Sequence, residues 1–543
     1  MPHISLVLKN ARIYTMDGRI EEAVAVAGDL IVKVGSNKEI EKYIGENTKV
    51  LDLTGKTVVP GFNDTHTHLV AYGCAINSVD LENVSSREEV TERIRNFIKK
   101  KNIQKGQWVL GRGWNQNFFP DAKFPTKIDL DKASVDNPIL IIRTCGHIGI
   151  ANTMALENVG VTRNSFIAGG EFDKGLDGEP NGVIREASLE WFKRNKKSKQ
   201  NSYEIKKAIV DGGNELLKYG ITTIHTEDSY DLGYGGDFLD IYNAYQELIA
   251  EDKLPVRVYQ KISLPTGEDV DKFLKGKLRT GMGNKYYHIG PMKQWADGTI
   301  GARTAGMREP YSDDKGNTGL YYYTSDELYK NIKKAHLAGM QICIHTIGDG
   351  ALKMVLDAYE KVLTEFPKKD HRHRLVHCFV GTEELYEKIA RLGLNINTQP
   401  TSTSTDIPMM RNRIGKEREK YCHAWRTLTD LGVKITASSD IPVETPNVFS
   451  GIYAIVTRKN LDDPSIAPWN PHEKVTPLEA LRFYTINGAY SAFEDNIKGS
   501  VTEGKLADLV VLDRDPCAVE PEELKNVRVL NTILGGKIKY CTE

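Results

Sequence analysis

Thr57-Val58-Val59-Pro60-Gly61-Phe62-Asn63-Asp64-Thr65-His66-Thr67-His68-Leu69 decides the reading of this chain. An apolar β-rich run ends in two histidines one residue apart. In a strand, residues i and i+2 project from one face, so His66 and His68 aim both imidazoles into one space. That is what a metal site asks of a strand end. On its own a His-X-His pair is equally often two surface histidines, so the rest of the chain must supply further ligands.

Working outward, the segments before residue 60 are short and strand-like (Ile4–Met16, Ala23–Val26, Leu30–Val34, Lys49–Leu53) and are broken by Gly28-Asp29, Gly35 and Gly55. They predict a small β unit. From about residue 204, helical and strand-like segments alternate. Strands are expected at 221–225, 256–259, 287–293, 340–345, 374–377, 394–398 and 433–440, with helices at 203–217, 238–251, 325–337, 351–366, 383–392 and 421–431. With the His-X-His strand this makes eight strands, which favours an α/β fold closed as a (β/α)8 TIM barrel over a doubly wound open sheet. Residues of about 70–205 are less regular and read as an insertion. Within them, Gly111-Arg112-Gly113-Trp114 is read as a turn and Gly169–Ile184 as a glycine-rich loop. After a helix expected at Thr476–Asn487, Ala507–Leu512, Val527–Leu530 and Thr532–Tyr540 return to strands. The expected domains are therefore 1–60 and 500–543, the two halves of a small β-sandwich built from both chain termini, and 61–499, the barrel with its insertion.

Composition narrows the function. The 543 residues are 40% hydrophobic and 27% charged, with a formal net charge of −1. That is an ordinary globular balance, with no basic block for nucleic acid or an anionic membrane. No apolar run is long enough to span a bilayer, and the N-terminus lacks the features of a signal peptide. The seven cysteines (74, 145, 343, 378, 422, 517, 541) are odd in number, scattered and never spaced Cys-X-X-Cys. They predict reduced thiols and a cytoplasmic setting. The expected partner is a small-molecule substrate, with no nucleic acid and no membrane; a homodimer is compatible with general base rates.

Barrel active sites draw on the C-terminal ends of the strands. Reading only those positions gives His66 and His68 on the first strand, Lys293 on the fourth, His345 on the fifth, His377 on the sixth and Asp440 on the eighth. Each has an ordinary structural explanation, but together they suit a borderline ion such as Zn²⁺. A divalent ion lowers the pKa of bound water to about 7, and Asp440 is placed to take that proton and pass it to a leaving group. A lysine ammonium cannot bind a cation; Lys293 would have to be deprotonated, or converted by CO₂ to a carbamate able to bridge two ions.

Motifs along almost the whole chain resemble the amidohydrolase superfamily, specifically amidohydrolase family 3, which includes N-substituted formamide deformylases. They are Pro60–His68, Gly146-His147 with Asn152, Gly178–Glu186, Lys293 ahead of Ala296-Asp297-Gly298-Thr299, His345–Asp349, Arg374–His377, Ser439–Val443 and Gly504–Leu512. The resemblance implies His66 and His68 on the more buried ion and His345 and His377 on the other. It further implies carbamylated Lys293 between one or two divalent ions, Asp440 as the proton carrier, and an insertion that covers the mouth. His147, Trp114, Arg185 and Trp295 become candidates for substrate contact. The activity it implies is metal-dependent hydrolysis of a linear, non-peptide amide such as an N-acyl or N-formyl amine. A carboxylic-ester or lactone hydrolase is the alternative. A deaminase of the superfamily would carry His-X-X-Glu after the fifth strand, and His345 is followed by Thr346-Ile347-Gly348. A scaffold without catalysis would have shed ligands, and every ligand position here is filled.

Overall fold

The computed structural model describes residues 3–144, 148–167, 169–195, 202–229, 237–463 and 465–542. Eight parallel strands form the central sheet: β1 (Phe62–Thr67), β2 (Ile221–Thr226), β3 (Arg257–Ser263), β4 (Tyr287–Trp295), β5 (Ile342–Thr346), β6 (Arg374–His377), β7 (Asn395–Thr398) and β8 (Ile435–Ala437). They pair in chain order, β1 beside β2 through to β8. The strands are rich in Ile, Val and Thr and are buried almost throughout, as expected of a parallel sheet covered on both faces. The seam between β8 and β1 is not a regular ladder. It is closed by the Thr65 hydroxyl donating to the Ala437 carbonyl (3.0 Å), by Asp440 N–H donating to the His66 carbonyl (2.9 Å) and by His68 N–H donating to the Ile441 carbonyl (3.0 Å). The result is a nearly closed (β/α)8 barrel, and its closing bonds fall on the residues that carry the candidate chemistry.

Helix starts follow their capping chemistry. Helix α1 (Ser325–Leu337) lies where the periodicity predicts it; the Thr324 side chain and Glu327 cap one another's backbone amides. The helix expected at 421–431 is shorter, Trp425–Asp430, and Ser402–Ile414 and Lys416–Glu419 precede it. Ser402-Thr403-Ser404-Thr405, with Pro408 further on, carry weak helix propensity, which hid that helix. The helix expected at Thr476–Asn487 divides at Tyr484-Thr485 into Pro477–Phe483 and Ile486–Ser491.

Strands from the chain ends form two further sheets. One orders Leu30–Gly35, Ala23–Ala27, Leu6–Lys9 and Lys49–Asp52; the other orders Lys537–Cys541, Val529–Leu534, Leu509–Leu512, Thr57–Pro60, Arg12–Tyr14 and Ile20–Glu21. Leu509–Leu512 runs antiparallel to Thr57–Pro60, so the second sheet interleaves the two chain ends. Leu6, Leu8, Val24 and Val26 from one sheet share a buried cluster with Ile13, Val58, Leu509, Val511 and Ile533 from the other. The Gly535-Gly536 hairpin loop has φ of 54° and 72° at its two residues, the left-handed pair a two-residue hairpin turn demands.

Val70–Gly212 and Tyr230–Ala244 form a compact unit of their own. Two sequence expectations are corrected there. Gly111–Trp114 is not a turn but part of strand Val109–Trp114, with a register shift between Arg112 and Trp114. Gly113, at φ 106°, sits at that irregularity. Gly169–Ile184 is not a loop; most of it is a hairpin, Gly170–Lys174 with Pro180–Glu186. Both belong to a six-stranded sheet ordered 170–174, 180–186, 148–151, 139–143, 109–114, 79–80. Glycines that accommodate bulges and close packing in strands were read as turn signals.

Candidate metal centre and active site

At the C-terminal ends of the barrel strands the structure brings four of the expected histidines and the aspartate into one buried group. Neighbouring ring centroids lie 5.1 Å apart for His66 and His68, 5.5 Å for His66 and His377, and 4.4 Å for His377 and His345. Asp440 Oδ1 is 3.0 Å from His68 Nε2 and 3.4 Å from His66 Nε2. Donor atoms of His66, His377 and Asp440 all lie within 4.8 Å of one another. Three non-glycine residues at these strand ends, His377, Cys378 and Asp440, have φ of 73°, 53° and 58°. Such backbone costs on the order of 1–3 kcal/mol per residue and gathers where a side chain must be aimed.

Hydrogen-bond partners fix which ring nitrogen of three histidines carries the proton. His68 Nδ1 is 2.8 Å from the Glu227 carbonyl, which can only accept, so Nδ1 is protonated and Nε2 turns to Asp440. His377 Nδ1 donates to Gln399 Oε1 at 2.6 Å. The amide orientation of Gln399 follows from its Nε2 donating to Ser438 Oγ, whose own hydroxyl donates to the Thr398 carbonyl. His345 donates from Nε2 to the Gly298 carbonyl at 3.2 Å, which leaves Nδ1 as its bare nitrogen. His377 and His345 thus each have one nitrogen bound to the fold and one lone pair left over, while His68 has Nδ1 on the Glu227 carbonyl and Nε2 on Asp440.

Burial keeps the His66, His345 and His377 rings neutral. It holds His66 and His345 well below the ordinary imidazole value and pushes His377 down to about 4 against the opposing charge of Asp440. For Asp440 burial acts upward, but the hydrogen bond to His68 and the charges of His68, His377 and Lys293 outweigh it and hold the carboxyl well below the usual range. The Asp440 carboxylate oxygen lies within hydrogen-bond reach of His68 Nε2, at 3.0 Å. Imidazole nitrogens gathered with a carboxylate oxygen are donors a divalent ion accepts, and those of His66, His377 and Asp440 lie within 4.8 Å of one another. The residues fit a metal.

Lys293 is 1% exposed and donates to Glu227 Oε2 at 2.8 Å, with Ser263 Oγ donating to the other carboxylate oxygen at 2.5 Å. Its ammonium stands 4.7 Å from the Trp295 ring centroid. In this form Lys293 has no lone pair to offer, so a ligand role requires its deprotonation or the carbamate. Trp114 is fully buried within its own unit's core and packs edge-on against Phe124. Arg185 forms a two-bond pair with Asp173 (2.7 Å each) and lies over the Phe124 ring. His147 lies outside the described residues.

Sequence reasoning missed Glu227, Lys261, Gln399, Asp64 and Asp297 as members of this region. Ending β2 at His225 and β3 at Tyr259 cut off Glu227, Lys261 and Ser263. Lys261 sits with Nζ 2.5 Å from His66 Nδ1, and burial pushes its ammonium down to about 7. Asp64, on β1 between the seam and His66, accepts Ser439 N–H (3.0 Å) and Ser439 Oγ–H (2.5 Å); burial raises it to about 7. Asp297 receives the N–H groups of Gly306, Ile347 and Gly348 and so ties the segment after β4 to the end of β5. The signal for Lys261 was available: it shares strand parity with Tyr259.

An eight-stranded barrel with this rim belongs to the class of metal-dependent hydrolases. The solved structure of an uncharacterised metal-dependent hydrolase from Pyrococcus furiosus superposes with a TM-score of 0.78 and 27% identity, covering 94% of this chain and 99% of its own. Residues 49–540 match the amidohydrolase family, and the chain belongs to it. It is 33% identical over 533 residues to YtcJ of Bacillus subtilis (strain 168), covering 97% of this chain and 98% of that protein. It is 29% identical to the N-substituted formamide deformylase of Arthrobacter pascens, covering 98% of each.

Proposed function

We propose that this protein hydrolyses the C–N bond of a linear, non-peptide amide, an N-formyl or N-acyl amine, at a zinc centre. The observation that carries the reading is the gathering of donor atoms of His66, His377 and Asp440 within 4.8 Å of one another, with His68 Nε2 3.0 Å from the same carboxylate. The full-length similarity to a formamide deformylase supports the amide class. His66, His68 and Asp440 would hold one ion and His345 and His377 a second, with Lys293 as a carbamate joining them. The bound ion supplies an activated water and polarises the scissile carbonyl.

The chain's own residues do the rest. Gln399, Gly298 and the Glu227 carbonyl hold their histidines so that no ring turns away from the centre. Asp440 accepts the proton of the attacking water and delivers it to the amine nitrogen as the C–N bond breaks. Its carboxyl is held low, so its protonated form is acidic enough to release that proton to an amine. Reduced thiols fit a cytoplasmic enzyme; the six described cysteines form no disulfide, and no described helix is long and apolar enough to cross a membrane.

The test is a hydrolysis screen of the zinc-loaded protein on matched N-formyl amines, N-acyl amines and carboxylic esters. The reading expects the amides to turn over with the higher kcat/KM. Turnover of the esters alone would replace it with an esterase.

A further inference from the structure

Three of the four rim histidines hand their fixed proton to an oxygen acceptor: the Glu227 carbonyl, Gln399 Oε1 or the Gly298 carbonyl. His66 differs. Its Nδ1 lies 2.5 Å from the side-chain nitrogen of Lys261, and both residues are buried. Two arrangements suit that contact. In one, Lys261 donates to Nδ1 and His66 carries its proton on Nε2, aimed at Asp440. In the other, Nδ1 carries the proton, the Lys261 amine accepts it, and Nε2 is bare. The first requires a donated bond from Nε2 to Asp440, but the separation there is 3.4 Å, longer than the 2.7–3.2 Å of an N–H···O bond. His68, at 3.0 Å, makes the close contact with that oxygen instead.

The backbone supplies an independent sign. The ladder between β3 and β4 shifts register there: Gln260 pairs with Ile289 and Ile262 with Met292, so the extra residue of a bulge lies on β4, opposite Lys261. Bulges re-aim a side chain and recur beside active sites. Facing this one, a lysine, a costly residue to bury, stands against a single nitrogen of the His-X-His pair.

We propose that Lys261 is a positioning residue: its amine accepts the Nδ1 proton of His66 and so turns that ring's Nε2 lone pair into the space shared with Asp440. The inference rests on the reading of His66 as a metal ligand. Groups that orient a ligating histidine in this way are worth about 10- to 100-fold in metal affinity.

The test compares Lys261→Met, which keeps the stem and removes the acceptor, with Lys261→Gln, whose amide oxygen can accept from the same N–H. Zinc affinity is measured by competition with a chromophoric chelator, and thermal midpoints are recorded on the metal-free proteins. Lys261→Met is expected to bind zinc about 10- to 100-fold more weakly, and Lys261→Gln to recover most of that loss at a similar metal-free midpoint. Unchanged affinity in Lys261→Met overturns the inference. So does a Lys261→Gln protein as weak as Lys261→Met, which would reduce Lys261 to packing. If Lys261→Met does not fold, ¹⁵N-histidine spectra of the zinc-loaded wild type decide, with His66 assigned by its loss in His66→Gln. A proton on Nδ1 supports the proposal and a proton on Nε2 refutes it. A wild-type protein that binds no zinc would sink the parent reading and this inference together, whereas zinc-binding wild type with an indifferent Lys261→Met sinks this one alone.

Discussion

The barrel carries two groups of buried histidines, one at each end of its strands, and they are built in opposite ways. Before β5 and β6, His336, His371 and His373 lie ring against ring, with centroids 5.2 Å apart for His336 and His373 and 4.6 Å for His371 and His373. There every ring nitrogen is committed to the protein. Ile342 N–H donates to His373 Nδ1 (3.1 Å), His373 Nε2 donates to His336 Nδ1 (2.9 Å), and His336 Nε2 donates to the Phe366 carbonyl (2.9 Å). His371 accepts from His373 N–H (3.0 Å) and donates to the Leu392 carbonyl (3.0 Å). At the other end, His68, His345 and His377 each spend one nitrogen on the fold and turn the other toward a shared space. Residue type, burial and suppressed basicity are common to both groups. What separates a structural histidine from a candidate ligand is the accounting of its two nitrogens.

The largest effect should come from the rim. Asp440→Asn removes both the negative ligand and the proton carrier, so kcat/KM on the preferred amide should fall by on the order of 10²–10⁴-fold. A variant of near wild-type rate would show that the rim aspartate is no more catalytic than the histidines at the far end.

Next in size is the floor. His373→Ala leaves the Ile342 N–H and His336 Nδ1 without their partners, at about 1–3 kcal/mol for each buried group. Chemical denaturation should show that loss while zinc content stays at the wild-type level. Loss of zinc without loss of stability would exchange the roles of the two ends.

Protonation gives a smaller, graded effect. Burial lowers the pKa of His336 and His371 and takes His373 well below the ordinary value; Lys368 pushes the same way, and Asp370 opposes it at His371. Above the unfolded value of about 6.5 both states are neutral, and the stability is fully present. Below it the unfolded chain takes up the proton first, so stability is lost as pH falls. The slope for a fully buried group such as His373 is about 1.4 kcal/mol per pH unit. The difference in urea midpoint between metal-free wild type and His373→Ala, measured at pH 7.5, 6.5 and 5.5, should therefore shrink only below pH 6.5. A flat profile would mean that the floor histidines are not held neutral by the fold.

Much of this was legible in the sequence because the barrel writes itself as alternation. The eight strands were placed within a few residues, and His66, His68, His345, His377, Lys293 and Asp440 lie at the strand ends where rim chemistry belongs. What could not be read depends on registers that one chain does not display. Lys261 lies two residues past Tyr259, where the sequence reading ends a strand that runs on to Ser263. Glu227 lies just past the end of β2 and acts through its carbonyl and its carboxylate at once. The floor histidines gave no signal, because nothing in His371-Arg372-His373 says that both rings find all their partners inside the protein. In Val70–Gly212, glycines that serve strands looked like glycines that serve loops.

The most direct measurement of the central claim is the zinc content of His377→Ala beside His373→Ala, each reloaded after chelation and assayed by elemental analysis. The account predicts that His377→Ala loses bound zinc and keeps its fold, while His373→Ala keeps its zinc and loses stability. Wild-type zinc content in both would contradict it, for the spare nitrogens at the rim would then not be what holds the metal.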